Sequence, residues 1–85
     1  MMIGKVIGSV VSTRKCESLV GNKFMVVEPI ASMQARGRIV AIDLIGAGIG
    51  EFVLVAQGSA ARVGIEAAPV DAAIVGIVDE GQKLE

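Results

Sequence analysis

The sequence predicts a small all-β domain in which five short strands close into an antiparallel barrel. Three observations carry that expectation. Val and Ile dominate the apolar residues, and branching at Cβ suits them to an extended, pleated backbone. Eleven glycines cut the chain into short segments of strand length. A chain of 85 residues can build only one modest core, and closing its sheet on itself removes the exposed strand edges.

The elements follow in order. Met2 to Thr13 reads as a first strand, with Gly4 and Gly8 marking places where it bends or another backbone comes close. Gly21-Asn22 is a turn dipeptide that leads into a second strand, Lys23 to Ile30. Pro29 has no N–H to donate, so it ends that strand or sits on an edge. Ser32 to Gly37 is a polar connection, and Arg38 to Ile45 is a third strand. Gly46 to Gly50 is a glycine-rich turn before a fourth strand, Glu51 to Gln57, and length and turn chemistry make this pair a hairpin. Ser59 to Val63 allows at most one short helical turn, with Ser59 as its N-cap. Pro69 opens the last strand, Ala72 to Asp79, and residues 80–85 read as a polar tail on a single domain spanning 1–85.

The patterning of two strands carries a further implication. Phe52-Val53-Leu54-Val55-Ala56 and Ala72-Ala73-Ile74-Val75-Gly76-Ile77-Val78 are nearly continuous apolar runs, whereas a half-exposed barrel strand alternates. Both faces of these strands need cover. In so small a domain the outer cover is another subunit, which also accommodates a composition that is 53% hydrophobic.

Composition excludes several functions. The chain has no histidine, which removes the commonest general base and any Ser–His or Cys–His pair. A single cysteine, Cys16, allows no internal disulfide, and no Cys/His zinc site is possible. Cys16 lies between Lys15 and Glu17 in a polar stretch and reads as an exposed free thiol. The carboxylates are scattered, so no catalytic set, metal site or cofactor site is expected, and the protein is not read as an enzyme. Net charge is −1 with no basic run, and two Phe are the only aromatics, so nucleic acid is not an expected partner. No apolar run approaches the roughly 18 residues of a membrane helix, and Met1 to Val11 makes a poor signal peptide. The expected location is cytoplasmic, with no membrane contact.

The segment Gly46-Ala47-Gly48-Ile49-Gly50-Glu51 invites a phosphate-loop reading. A strand follows it instead of a helix, Glu51 stands where the dinucleotide pattern needs its third glycine, and no Walker lysine is present. Two other readings remain: a turn whose glycines adopt positive φ, and a small-residue loop whose copies converge on a symmetry axis.

These residues also carry a resemblance. Val40-Ala41-Ile42-Asp43, Gly46 to Glu51, Val53-Leu54-Val55, Gly58-Ser59-Ala60-Ala61-Arg62 and Pro69 to Asp79 occur in an order and at spacings similar to the EutN/CcmL family of bacterial microcompartment vertex proteins. The opening Met2 to Gly8, Val11 and Leu19-Val20-Gly21 fit as well, so the likeness covers nearly the whole chain. Ala60 departs from it, standing where the family usually has a second serine.

The resemblance implies an OB-like five-stranded barrel that assembles into a cyclic homopentamer. Such pentamers cap the fivefold vertices of a shell, carboxysome or metabolosome, otherwise tiled by hexameric shell proteins. It further implies that Gly46, Ala47, Gly48, Ile49, Gly50 and Glu51 form an axial loop, and that Asp43, Ser59, Ala60 and Arg62 lie at or near the subunit interface. Glu51 either rims the opening or bonds the amides of its own loop. Asp43, among apolar neighbours, needs a partner such as Arg62 or a backbone amide. Arg62 either bridges to the next subunit or is an ordinary surface arginine. Asp71 reads as a turn cap. The alternative function is a small OB-type module that binds nucleic acid or an anionic ligand; an axial opening that passes small metabolites is compatible with the vertex role.

Overall fold

The computed structural model describes residues 1–13, 15–34, 37–63 and 69–79. Five strands form the barrel: β1 (Met2–Val10), β2 (Lys23–Pro29), β3 (Ile39–Asp43), β4 (Phe52–Gln57) and β5 (Ala72–Ile77). Around the closed sheet their order is β1-β2-β3-β5-β4, with β4 returning to β1. The pairs are antiparallel except for β3 and β5, which run parallel from Ile42↔Ala73 to Asp43↔Ile74. This is the OB-like arrangement.

The expected hairpin between the third and fourth strands does not form. β5 lies between them, and the loop after β3 crosses the end of the barrel to deliver β4 beside β1. Two bonds fix that delivery: Gly50 N donates to Val6 O at 2.7 Å, and Val6 N donates to Glu51 O at 2.9 Å. Turn chemistry alone could not distinguish this crossing from a tight return, because both use positive-φ glycines, here Gly46 and Gly50.

The punctuation of β1 and β2 behaves as its residue types require. At Gly4 a Cβ would stand 2.5 Å from Val27 Cγ1 and 2.8 Å from Glu28 O, so only glycine allows β2 this close. Near Gly8 the ladder steps from Val6↔Val27 to Gly8↔Val26, skipping Ile7 in a bulge. Pro29 is the last residue of β2. A second irregularity between β4 and β5 pairs Leu54 with Gly76 and Val55 with Ile74, passing over Val75.

Among the described residues, three short 3-10 segments join the strands: Glu17–Leu19, Ala31–Met33 and Gly58–Arg62. The last coincides with the expected helical turn, but its cap is Gln57 and no side chain hydrogen-bonds there, so Ser59 is not the N-cap. The other two lie in polar connections too short for a hydrophobic period to declare them. The polar tail expected over 80–85 lies outside the described residues.

Among the described residues, two apolar clusters hold the domain. The inner one fills the barrel with Met2, Val6, Met25, Val27, Ala41, Ala47, Val53, Val55, Ala72 and Ile74. The second gathers Ile42, Ala61, Val70 and Ala73, with Leu19 and Phe24 packed against it. Ile42 and Ala73 neighbour inward-facing Ala41, Ala72 and Ile74 in sequence, so they point outward. The chain therefore covers part of its own outer wall with the 58–62 turn and Val70. The remaining apolar wall, including Val40 and Val75, is open to solvent.

Candidate functional site

The loop from Leu44 to Glu51 is held from both ends by carboxylates. Asp43 closes β3 as its last residue. Its Oδ1 accepts from Ile45 N at 3.1 Å and Gly46 N at 3.0 Å, and its Oδ2 accepts from Ala47 N at 2.9 Å. From the other end, Glu51 Oε1 accepts from Gly48 N at 2.6 Å. Four consecutive amides, Ile45 to Gly48, are thus satisfied by two side chains of the same loop. Asp43 finds its partners in backbone amides and not in Arg62, as a carboxylate placed before a turn readily does.

That bonding decides the phosphate reading. A phosphate cradle needs several backbone amides pointing at an open space. Here the amides of Gly46, Ala47 and Gly48 already donate to carboxylates, and Gly50 N donates to Val6 O. An anion would displace two like-charged side chains to reach them. The anion-binding alternative loses its most plausible loop.

Ala47 explains why the loop follows one path. Its methyl is buried in the inner cluster, so it plugs the barrel end while the glycines around it supply the turns. The apolar side chains beside it face away: Leu44 and Ile45 are 47% and 41% exposed, and Ile49 reaches 65%. The alanine within the glycine run was the sequence signal for this plug, and Asp43, three residues before the first glycine, was the signal for the staple.

The second predicted group is brought together only in part. Ser59 and Ala60 are exposed on the Gly58–Arg62 turn, while Ala61 beneath them is buried. Arg62 Nη1 donates to Val70 O at 2.9 Å, and Gly58 N donates to Asp71 O at 2.8 Å, which ties the turn to the approach of β5. Arg62 is thus a brace within its own chain. Cys16 is exposed and unpaired as a thiol, as expected. Among the described residues no group of three or more His, Cys, Asp or Glu could hold a metal ion.

Comparison with known proteins decides the family. The family described as ethanolamine utilisation protein EutN/carboxysome matches residues 1–79. The chain belongs to the EutN/CcmL family. It is 48% identical over 83 residues to the bacterial microcompartment shell vertex protein GrpN of Rhodospirillum rubrum, covering 93% of each chain. It is 47% identical over 83 residues to the carboxysome shell vertex protein CcmL of Gloeobacter violaceus, covering 93% of this chain and 83% of that one. Among solved structures, the GrpN pentameric microcompartment shell protein from Rhodospirillum rubrum superposes with a TM-score of 0.85 at 45% identity, covering 99% of this chain and 100% of that one. As a EutN/CcmL protein, the chain is a structural component of a microcompartment shell within the cytoplasm, and not an enzyme.

Proposed function

We propose that five copies of this chain close into a ring that caps a fivefold vertex of the shell, with its rim against hexameric shell proteins. The carrying observation is the uncovered part of the barrel wall. Val40 and Val75 are 51% and 39% exposed on that wall, and Leu44, Ile45 and Ile49 of the adjoining loop are exposed as well. Exposed apolar surface on a small folded unit favours association. A head-to-tail contact whose rotation closes gives a ring, and a ring of five supplies the curvature that a flat hexagonal layer lacks. The pentameric GrpN structure, nearly half identical over essentially the whole chain, supports the same stoichiometry here.

Within that ring the 46–51 loop, with Gly46, Ala47, Gly48, Ile49, Gly50 and Glu51, faces the axis. Small residues let copies approach, and the carboxylate staples keep each copy in one conformation. Ser59 and Ala60 lie at the contact between neighbours, and Asp43 and Arg62 shape the backbone beside it. Residues 1–85 act as one vertex domain, and neither nucleic acid nor a membrane is a partner.

Native mass spectrometry at low micromolar concentration tests the assembly. The expected species is a pentamer of about 44 kDa, five times the 8.7 kDa chain. A dominant monomer or hexamer removes the vertex role. Co-expression with a hexameric shell protein tests the partner: closed particles are expected with this chain present, and open sheets or tubes in its absence. Closed particles formed without it sink the capping role.

A further inference from the structure

The axial loop carries two side chains that can face a central opening, and it presents them differently. Glu51 is half-buried, and its carboxylate is turned back onto Gly48 N at 2.6 Å. Its backbone is fixed as well, with Glu51 N donating to Gly48 O at 3.2 Å and Glu51 O accepting from Val6 N at 2.9 Å. Ile49, between the pinned residues Gly48 and Gly50, is 65% exposed. The loop cannot retract it without breaking the Gly48 or Gly50 amide bonds. An aliphatic side chain held in water on a stiff loop gains by meeting another apolar surface. At a symmetry axis that surface is supplied by the same residue of the neighbouring copies.

We propose that Ile49, and not Glu51, forms the narrowest ring of the axial opening, so that the opening is an apolar collar. This rests on the pentamer with its 46–51 loop at the axis, as proposed above. A ring of aliphatic side chains offers no ligand to replace the hydration shell of an ion, and a narrow apolar constriction dewets. The collar therefore excludes hydrated ions and charged metabolites and favours small uncharged solutes. The Glu51 carboxylates, each satisfied by an amide of its own loop, set the loop's shape and leave the collar uncharged.

Thiol trapping in a Cys16→Ser background tests this. Ile49→Cys and Glu51→Cys are each checked for the pentamer by native mass spectrometry, then treated with oxidant or a short bismaleimide. Disulfides form only when Cα atoms lie within about 7 Å, and the bismaleimide covers a wider opening. Cross-linked dimers from Ile49→Cys with little from Glu51→Cys are the expected result. The reverse pattern overturns the Ile49 collar while leaving the loop at the axis. Intact pentamers that cross-link at neither position overturn both the collar and the axial placement, and a chain that is monomeric before any substitution overturns the pentamer itself.

A second variant stands independently of thiol chemistry and of any loss of folding in Glu51→Cys. Ile49→Asp places five carboxylates together. At about 10 mM salt its half-dissociation concentration should rise about tenfold over that at 0.5 M, because the screening length shortens from about 30 Å to a few ångström. Glu51→Gln, which keeps an accepting oxygen for Gly48 N, should show no such salt dependence. An Ile49→Asp pentamer as indifferent to salt as the parent protein overturns the proposal.

Discussion

The two walls of the barrel are built from the same residue types and serve different purposes. Val6, Val27, Val53, Val55 and Ile74 line the interior and are essentially inaccessible to water. Val40 on β3 and Val75 on β5 are equally apolar and are substantially exposed. Between these extremes, Ile42 and Ala73 point outward but are covered by Ala61 and Val70 of the same chain. Hydrophobicity alone therefore does not say what a side chain supports. What matters is whether its cover comes from the chain itself or from a neighbour.

Concentration dependence separates the two kinds of cover. Ile74→Ala empties a site inside the barrel, and truncations of this type cost about 2–5 kcal/mol. That loss, read from urea unfolding, should be nearly the same at every protein concentration. Val40→Ser removes outer-wall surface, so its effect should grow where assembly contributes to stability and fade on dilution, since association stabilises only in proportion to occupancy. Equal, concentration-independent losses at both positions would abolish the distinction between the walls.

Close approach gives the next largest effect. Gly4→Ala drives a methyl against Val27 Cγ1 and the Glu28 carbonyl, with distances of 2.5 and 2.8 Å before relaxation. Overpacking of this kind costs about 1–3 kcal/mol. Gly8 is the control on the same strand, because a Cβ there meets nothing within 4 Å. Gly8→Ala should change stability by about 0.5 kcal/mol or less. Denaturant midpoints for the pair give the comparison, and similar losses at both positions would mean that β1 and β2 do not approach as described.

The Asp43 staple comes third. Asp43→Ala leaves the amides of Ile45, Gly46 and Ala47 without their acceptor, at a cost of about 1–3 kcal/mol. Asp43→Asn keeps one accepting oxygen and should recover part of the loss. Hydrogen exchange at these three amides is the direct measurement: faster exchange in Asp43→Ala is expected, and unchanged protection would mean that the carboxylate is not what holds the loop.

Strand-forming segments were legible in the sequence because β-branched runs and glycine or proline stops are local signals, as at Lys23 to Pro29 and around Gly8. The strand order was not. The path of the 44–51 loop depends on Gly50 and Glu51 bonding to Val6, more than forty residues away, and on Ala47 finding the barrel interior. A glycine-rich turn between two strands has the same local appearance whether it returns or crosses. The site was half legible: Asp43 was recognised as needing a donor, yet its choice of amides over Arg62 follows from its position at the strand end. The continuous apolar runs read as needing cover on both faces; Ala61 and Val70 supply it at Ala73 from within the chain, which no periodicity could reveal, while Val75 stays exposed.

The smallest expected effect sharpens the map of the outer wall. Arg38 Nε meets Glu28 Oε2 at 3.0 Å across β2 and β3, with the two side chains 64% and 52% exposed. In water such a pair is screened, and holding two long side chains in one geometry offsets most of the attraction. Arg38→Ala should therefore change stability by about 0.5 kcal/mol at most and leave the pentamer intact. Arg38 adjoins Ile39 and Val40 at the start of β3, so it borders the exposed apolar wall. If removing it instead weakens assembly in a salt-dependent way, a neighbouring subunit must cover this strip, because only a desolvated charge couples strongly to binding. The contact would then extend from Val40 towards Arg38, and no effect would place its edge between them.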